Sequence, residues 1–329
     1  MQIIQSESNI RNIKKGCVLT IGNFDGVHIG HQRIIEAAKS AAKKKGADLV
    51  AMTFYPHPAA VLYPEKSPCV LTPLELKKHL LKQCGVDLLL VLRGTRELLA
   101  LSAEEFVEHF LVRTIRPQVV VEGHDFNFGS GRNGNVERLG RLGAEKGFEV
   151  RVIEAVTITL GGGRDVRVSS TLIRELLEGG DVAGAAAAMG RAYRLLGQVI
   201  AGRGKGRQLG FPTANLESVG QIIPAEGVYA GFVEIGDELE AVCEANKRIA
   251  AALSVGRAAT YGSGKPQLIE AHLLAEEVGS LAGKWMGMDF VERLRGQQKF
   301  ESEKALSAQI AKDCSKARAI LAASSEKHG

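Results

Sequence analysis

The sequence predicts an α/β protein with two domains, an N-terminal doubly wound parallel sheet and a C-terminal small antiparallel β-barrel with a terminal helix. Apolar strand-like runs alternate with amphipathic helical patterns through the first half of the 329 residues. After about residue 190, short β-rich runs follow one another between glycine-rich turns, which is typical of a small barrel or sandwich. We therefore expect two domains, residues 1–189 and 190–329.

Five strand-like runs define the predicted parallel sheet. They are "CVLTIG", "DLVAMTF", "DLLLVL", "QVVVEG" and "EVRVIEAV", which begin at residues 17, 48, 87, 118 and 149. The helical patterns between them include "HQRIIEAAKSAAKKKG", closed by Gly46, and "SAEEFVEHFLVRTI", where Ser102 and Glu105 predict a capping box. Alternating strands and helices indicate parallel βαβ units, in which ligands bind beyond the carboxyl ends of the strands.

The second half has a different pattern. Residues 169–190 predict helix broken at Gly179 and Gly180, and four β-rich runs follow: "YRLLGQVIAG", "GVYAGFVEIG", "LIEAHLLA" and "MDFVERL". Residues 301–323 predict one amphipathic helix with an apolar face at Leu306, Ile310 and Ala311.

Composition excludes several classes of protein. The formal net charge of +5 is too mild to demand a nucleic-acid partner, and the N-terminus has neither a signal-peptide core nor a membrane-spanning run. The five cysteines are scattered without a C-x-x-C pair, which disfavours a disulfide framework and a zinc site. We expect a cytoplasmic protein, monomeric or weakly homo-oligomeric, that contacts neither nucleic acid nor membrane.

The stretch "GNFDGVHIGH", residues 22–31, follows the first long strand and opens a helix. A helix N-terminus binds phosphate well, and imidazole donors from His28 and His31 would stabilise charge developing on a phosphoryl oxygen. Gly22, Gly26 and Gly30 allow the backbone to approach a ligand. The alternative is a turn with one capping histidine and one histidine satisfied in the core.

A second polar motif, "VSSTLIR", begins at residue 168. The hydroxyls of Ser169, Ser170 and Thr171, with the Arg174 guanidinium, would suit a triphosphate at a helix start. By itself the same motif is an ordinary helix cap.

The predicted barrel has two polar features. Gly202, Gly204 and Gly206 leave amides able to cradle phosphates, and the neutral oxygens of Thr213 and Asn215 suit Mg²⁺ with its nucleotide. The alternative is a β-turn with a proline-stiffened strand. Strand alternation places Glu270 on one face with His272, where the alternative is a solvated carboxylate on an edge strand.

The H-x-G-H pattern of residues 28–31, followed by "SSTLIR", resembles the nucleotidylyltransferase superfamily, which also includes class I aminoacyl-tRNA synthetases. A synthetase would favour a lysine-rich loop and a tRNA-binding domain, and neither is visible. "FYPHPAAVL" from residue 54, "EGHDFNFGSGRNGN" from residue 122 and "GQVIAGRGKGRQLGFPTANL" from residue 197 resemble the bacterial bifunctional riboflavin kinase/FAD synthetase (FMN adenylyltransferase) family. The resemblance extends from residue 18 to about residue 317.

The resemblance implies a nucleotidylyltransferase domain that adenylylates FMN to FAD with release of pyrophosphate, and a riboflavin kinase-like barrel that phosphorylates riboflavin to FMN. It implies His28 and His31 as catalytic groups for the first reaction and Glu270 as general base for the second. The implied small molecules are riboflavin, FMN and ATP. Mg²⁺ would accompany ATP, held by Thr213 and Asn215, and no tightly bound organic cofactor is required.

The remaining implied contacts are with the nucleotide and the flavin. The flavin contacts are His57, Phe126 and Arg295. The nucleotide contacts are Gly22, Asn23, Asp25, Gly30, Asp125, Arg132, Ser169, Ser170, Thr171, Arg174, Gly202, Gly204, Gly206, Thr213 and Asn215. Without the resemblance, Asp125 and Arg132 could be a surface pair and His57 part of a rigid turn.

Four positions depart from the family pattern: Asn127 replaces an arginine, Ser254 an asparagine, Ala259 a proline and Ala282 a tyrosine. The last three leave open an FAD synthetase with a degenerate kinase domain. The sequence also leaves open a nucleotidylyltransferase acting on a pantetheine or sugar phosphate, and a non-catalytic flavin-binding sensor.

Overall fold

The structure, a computed structural model, describes residues 1–5, 7–200, 213–244, 247–257, 267–275 and 281–326. Two units divide the chain. The first contains Met1–Ile158 and Asp165–Val168, and the second contains Thr159–Arg164 and Ser169–Gly329. Within the described part of the chain, no helix has both the length and the hydrophobicity needed to cross a membrane.

A six-stranded parallel sheet forms the centre of the first unit. Its strands, in chain order, are β1 (Gln2–Ile4), β2 (Val18–Ile21), β3 (Leu49–Tyr55), β4 (Leu88–Arg93), β5 (Val119–Gly123) and β8 (Glu149–Ile153), and a short hairpin of β6 (Asn127–Phe128) and β7 (Gly134–Asn135) precedes β8. The five predicted strands are confirmed. Strand β1 was not predicted. Only Ile4 of its three residues is buried, so it has no apolar pattern that would indicate a strand.

Helices alternate with these strands along the chain, and every residue of the central strand β2 is buried, as expected for a doubly wound sheet. The helices are α1 (Ile29–Lys45), α2 (Pro58–Leu62), α3 (Leu74–Gln83), α4 (Arg96–Leu99), α5 (Ala103–Phe106) and α6 (Val136–Lys146). The predicted capping box at Ser102 and Glu105 is present, and Gly46 ends α1 in the left-handed conformation with φ of 60°. The predicted helix at 102–115 continues past α5 as π-helical turns over Val107–Ile115.

The strand order of the sheet is β1-β4-β3-β2-β5-β8. The chain runs from β2 through β3 to β4 in one direction and from β5 to β8 in the other, so the order reverses between β2 and β5. In open parallel sheets, ligands bind beyond the carboxyl ends of the strands at this reversal. The segments that follow Ile21 and Gly123 leave neighbouring strands at this reversal.

A closed six-stranded barrel forms the second unit, with all neighbouring strands antiparallel in the order β11-β12-β15-β14-β13-β16. Its strands follow a hairpin of β9 (Thr157–Leu160) and β10 (Arg164–Arg167) and the helices α7 (Ser170–Gly179) and α8 (Val182–Met189). They are β11 (Tyr193–Ile200), β12 (Thr213–Ser218), β13 (Gly227–Gly236), β14 (Ile249–Arg257), β15 (Gln267–Leu273) and β16 (Trp285–Arg295).

The prediction included four of these strands and missed β12 and β14. The residues of β12 stand out as a polar motif rather than as a strand pattern, and the alanines of "IAAALSVGR" in β14 lack the β-branched enrichment that marks a strand. The break predicted at Gly179 and Gly180 is confirmed, since α7 ends at the left-handed Gly180.

The terminal helix α9 (Glu303–Glu326) lies against the outside of the barrel. Cys314, Ala317 and Leu321 pack with Ala230 and Ala252 in one buried cluster, with Ile310 at its margin. The predicted apolar face was wrong at Ala311, which is exposed. The buried positions follow the spacing 310, 314, 317 and 321, which turns residue 311 toward solvent.

Candidate active sites

A strained turn, residues 22–27, joins β2 to the start of α1. Phe24 and Val27 have positive φ angles of 46° and 40°, and Gly26 has φ of 90°. Positive φ is uncommon outside glycine, and for a β-branched residue such as Val27 it is a true outlier. Such a conformation persists only where surrounding contacts enforce it, and strained turns of this kind cluster at functional sites.

Contacts from the loop before α3 enforce the strained turn. The buried Asp25 carboxylate accepts the backbone N–H groups of Leu71 and Thr72, each at 3.0 Å. The Thr72 hydroxyl in turn accepts the Gly26 N–H at 2.7 Å. In the structure the Asp25 carboxylate accepts these two amides, and its predicted contact with the nucleotide stays a prediction.

His28 and His31 lie at the N-terminus of α1 as a stacked pair. Their ring centroids are 3.6 Å apart with an interplanar angle of 17°, and the Phe24 ring meets His31 edge-on at 5.4 Å. His28 caps the helix, because its Nδ1 accepts the His31 N–H at 3.3 Å. At Gly30 a Cβ atom would lie 3.1 Å from His28 Nδ1, so the missing side chain makes room for the stack.

Glu122 lies across the strand-order reversal from the strained turn, at the end of β5. It is fully buried, and its Oε1 accepts the Ile21 N–H at 2.6 Å. Burial raises the pKa of Glu122 well above its ordinary value, and the nearby charge of Asp125 acts in the same direction. The buried Glu122 carboxyl therefore joins the two strand ends through this hydrogen bond. Glu122 begins the motif "EGHDFNFGSGRNGN", yet nothing in that motif indicates this role.

The segment after β5 contains the predicted Asp125, Phe126 and Arg132. Asp125 forms an ion pair with Arg167, a different partner from the Arg132 of the surface-pair alternative. The rings of Phe126 and Phe128 stack at 5.5 Å. Asn127, which replaces the expected arginine, donates to the Asp125 carbonyl at 2.6 Å. Arg132 is exposed, with φ of 58°.

Two further predicted residues are helix caps. His57 Nδ1 accepts the Ala59 N–H at 3.1 Å at the start of α2, beyond the carboxyl end of β3. Ser169 Oγ accepts the Leu172 N–H at 3.1 Å at the start of α7, so the capping interpretation holds for this serine. Ser170, Thr171 and Arg174 follow within the first two turns of α7, in the second unit.

In the barrel, one row of directly opposed residues crosses five strands. It runs from Asn215 on β12 through Glu270, Ser254 and Val228 to Arg295 on β16. Directly opposed residues share a face of the sheet. Glu270 and His272 share one face of β15 as predicted, and their partners Asn215 and Thr213 on β12 lie on the same face. Strand β15 lies between β12 and β14, so the edge-strand alternative for Glu270 is wrong.

Burial perturbs both titratable groups on this face. It raises the pKa of the half-buried Glu270 above the ordinary value and is the sole cause of that shift. It lowers the pKa of His272 to about 4, against an opposing contribution from the negative charge of Asp313. His272 is therefore neutral at pH 7, and the carboxylate of Glu270 is more basic than that of an exposed glutamate.

Comparison with known proteins identifies the family. The FAD synthetase family model matches residues 10–172 and the riboflavin kinase family model matches residues 189–321. The bifunctional riboflavin kinase/FMN adenylyltransferase of Escherichia coli is 35% identical over 95% of this chain and 96% of its own. That of Pseudomonas fluorescens is 36% identical over 99% of this chain and 100% of its own. The chain belongs to this bifunctional family.

Membership makes the chain an enzyme of flavin biosynthesis and excludes the pantetheine or sugar-phosphate and synthetase alternatives. A solved structure described as a macrolide-efflux protein from Streptococcus pneumoniae has the same fold, with a TM-score of 0.82 and 28% identity over 97% of this chain and 99% of its own.

The structure also locates the departures from the family pattern. The family has asparagine at position 254. Here the Ser254 hydroxyl accepts a hydrogen bond from the Gln297 side-chain amide at 3.2 Å, and the same amide donates to the Val255 carbonyl at 2.8 Å. An amide group is therefore present at the Ser254 hydroxyl although residue 254 itself lacks one. No sequence motif indicated Gln297. Ala282 lies in the turn before β16, whereas Ala259, Gly202, Gly204 and Gly206 lie outside the described residues.

Arg295 was predicted to contact the flavin. In the structure its guanidinium forms a paired interaction with the Asp313 carboxylate of α9, at 2.7 Å from Nη2 and 3.0 Å from Nε. The same guanidinium lies 5.8 Å from the centroid of the Phe300 ring. Arg295 thus links the cross-strand row that contains Glu270 to the terminal helix α9.

Proposed function

We propose that the chain converts riboflavin to FMN at the barrel face carrying Glu270, and FMN to FAD at the strained turn carrying His28 and His31. The observation that carries the proposal is the stacked histidine pair at the N-terminus of α1, placed where the strand order of a parallel sheet reverses. The cross-strand row containing Glu270 supports the kinase half.

In the kinase step, the Glu270 carboxylate takes the proton of the riboflavin 5′-hydroxyl. At the same time, the riboflavin 5′-oxygen forms a bond to the γ-phosphorus of ATP. The bond from that phosphorus to the β,γ-bridging oxygen breaks and ADP leaves. The raised pKa of Glu270 suits this role, because a general base works best when its pKa approaches the operating pH.

In the adenylyl-transfer step, an FMN phosphate oxygen forms a bond to the α-phosphorus of ATP, and the bond to the α,β-bridging oxygen breaks to release pyrophosphate. No covalent enzyme intermediate is needed, since the FMN phosphate is itself the nucleophile. His28 and His31 stabilise the charge on the pentacoordinate transition state. Asn23 positions the triphosphate, and the family resemblance implies the hydroxyls of residues 169–171 and the Arg174 guanidinium as further triphosphate contacts.

Thr213 and Asn215 would hold Mg²⁺ by their side-chain oxygens. The donor set fits, because both are neutral oxygen ligands on the face of Glu270, and Mg²⁺ is usually held by few protein ligands together with substrate phosphates. Mg²⁺ bound with ATP neutralises phosphate charge. Among the described residues, no group of three or more His, Cys, Asp or Glu side chains is arranged to hold a metal ion.

We further infer a cytoplasmic location and a monomeric or weakly associated state. All five cysteines lie within the described residues and none forms a disulfide, which suits a reducing compartment.

The decisive experiment incubates the purified protein with Mg-ATP and riboflavin, and separately with Mg-ATP and FMN, and resolves the flavins by chromatography over time. FMN followed by FAD from riboflavin is the expected result. FAD from FMN with riboflavin untouched would overturn the kinase half and identify Ser254, Ala259 and Ala282 as the positions to revert. Tight flavin binding without ATP consumption would overturn both halves.

A further inference from the structure

A lysine is buried behind the strained turn. Lys77 on α3 is 6% exposed, and it lies on the same helical stripe as the buried Leu80 and Leu81. Its neighbours Lys78 and Lys82 lie off this stripe. Lysine is almost never fully buried unless it is paired, because removing an ammonium from water is costly. A methionine would fill the same space without that cost, so the charge needs an explanation.

The contacts of Lys77 supply one. Its Nζ donates to the backbone carbonyl of Asn23 at 2.7 Å, and the Thr53 hydroxyl donates to the same carbonyl at 3.3 Å. Burial lowers the pKa of Lys77, and the negative charge of the buried Asp25 opposes that shift. The ammonium thus holds the first half of the strained turn through the Asn23 carbonyl, and its positive charge offsets the negative charge of Asp25 within the turn.

Lys77 completes a set of restraints on the strained turn. Asp25 is held by the amides of Leu71 and Thr72, Gly26 by the Thr72 hydroxyl, and Asn23 by Lys77. All come from residues 71–77, far from the turn in sequence. Positive φ angles at Phe24 and Val27 are unfavourable without such restraints, and relaxation there would rotate the chain that leads into His28.

We propose that Lys77 is a positioning residue for adenylyl transfer, whose buried ammonium fixes the strained turn and thereby the pose of His28 and His31. This inference rests on the proposed function of the histidine pair. Lys77 acts through the backbone, because its ammonium is buried and its hydrogen bond goes to a carbonyl of the protein.

The test compares Lys77→Met with a control, Lys78→Met, in the full chain. Lys78 is the next residue of α3, and its partly buried ammonium pairs with Glu75 at 2.8 Å. We expect Lys77→Met to lower kcat for FAD formation from FMN by about 10- to 100-fold, with KM for ATP and for FMN changed less than about threefold. We expect Lys78→Met to remain within about twofold of wild type. FMN formation from riboflavin by the same chain serves as an internal reference.

A double variant separates positioning from general destabilisation. If Lys77 works through the histidine pair, Lys77→Met has no further effect on FAD formation when added to His31→Ala. A merely structural role would lower the residual rate of His31→Ala by the same factor as in wild type, and that result would overturn the proposal. A rise in KM for ATP at unchanged kcat would also overturn it, since the loss would then lie in triphosphate binding near Asn23 and not in the pose of the histidine pair.

Thr72→Val provides a second route if Lys77→Met fails to fold. It removes the hydroxyl that holds Gly26 with almost no change in volume, and the same absence of effect in the His31→Ala background is expected. Wild-type chain that makes no FAD from FMN would refute the proposed function itself. Wild-type chain that makes FAD at the same kcat as Lys77→Met would refute only the role of Lys77.

Discussion

The two candidate sites are built in different ways. In the first unit the histidine pair depends on a turn with unfavourable backbone angles, which long-range contacts hold in place. On the barrel, the row from Asn215 through Glu270 to Ser254 results from regular strand register, and only its last pair, Val228 with Arg295, lies beside a register shift. The first site should therefore be sensitive to changes that move the backbone, and the second mainly to loss of a reacting side chain.

The largest expected effect is on the barrel. Glu270→Gln keeps the shape of the side chain but cannot accept the 5′-hydroxyl proton, so FMN formation should fall by about 10²- to 10⁴-fold. FAD formation from FMN should be unchanged in the same preparation. Chromatographic rates for both reactions test this, and unchanged FMN formation would show that Glu270 is not the base.

His31→Ala is the matching change in the first unit. Loss of one stabilising donor should lower FAD formation by about 10²- to 10³-fold, while riboflavin phosphorylation remains. Steady-state rates with each flavin would measure both effects. An equal loss of the two activities in a folded variant would argue against separate sites.

Gly30→Ala tests the dependence of the first site on geometry. The new methyl group would lie 3.1 Å from His28 Nδ1 and press on the stacked ring, so we expect FAD formation to fall about tenfold. Gly140→Ala is the matched control, because a Cβ there meets no atom within 4 Å. That helix-interior change should leave both activities intact and stabilise the chain by about 0.5–1 kcal/mol in chemical denaturation. Equal FAD formation by the two variants would contradict the idea that stacking matters.

A pH profile distinguishes the sites without mutation. The carboxylate of Glu270 must be deprotonated to act as a base, and burial raises its pKa. The rate of FMN formation should therefore be at its maximum above this raised pKa and should fall as the pH drops through it. The fall should occur at a higher pH than it would for an exposed glutamate. Initial rates of FMN formation between about pH 8 and pH 4 would show the acid limb. A limb at or below the ordinary glutamate pKa would contradict the assignment.

Ser254→Asn should have the smallest effect. The Gln297 amide already lies 3.2 Å from the Ser254 hydroxyl, so restoring the family asparagine should change kcat/KM for riboflavin by less than about threefold. Kinetics of FMN formation with saturating Mg-ATP would measure it. A gain of more than about tenfold would identify Ser254 as a defect that Gln297 does not compensate.

Local sequence patterns predicted most elements of both units, including the Ser102–Glu105 capping box and the left-handed end of α1 at Gly46. They failed where an element has too little pattern of its own, as in the three residues of β1 and the alanine-rich β14. Sequence motifs also indicated His28 and His31 as candidate site residues. Strand alternation correctly placed Glu270 and His272 on one face of β15.

The sequence by itself therefore determined the order and type of most elements, the motifs and the family resemblance, because hydrophobic period, caps and motifs are short-range properties. Only the tertiary structure decided which side chains support the sites. Glu122 meets Ile21 across 101 residues, Lys77 meets Asn23 across 54, and Gln297 meets Ser254 across 43. No local period encodes such pairs. They form only when packing excludes water from polar groups that must then find partners elsewhere in the fold.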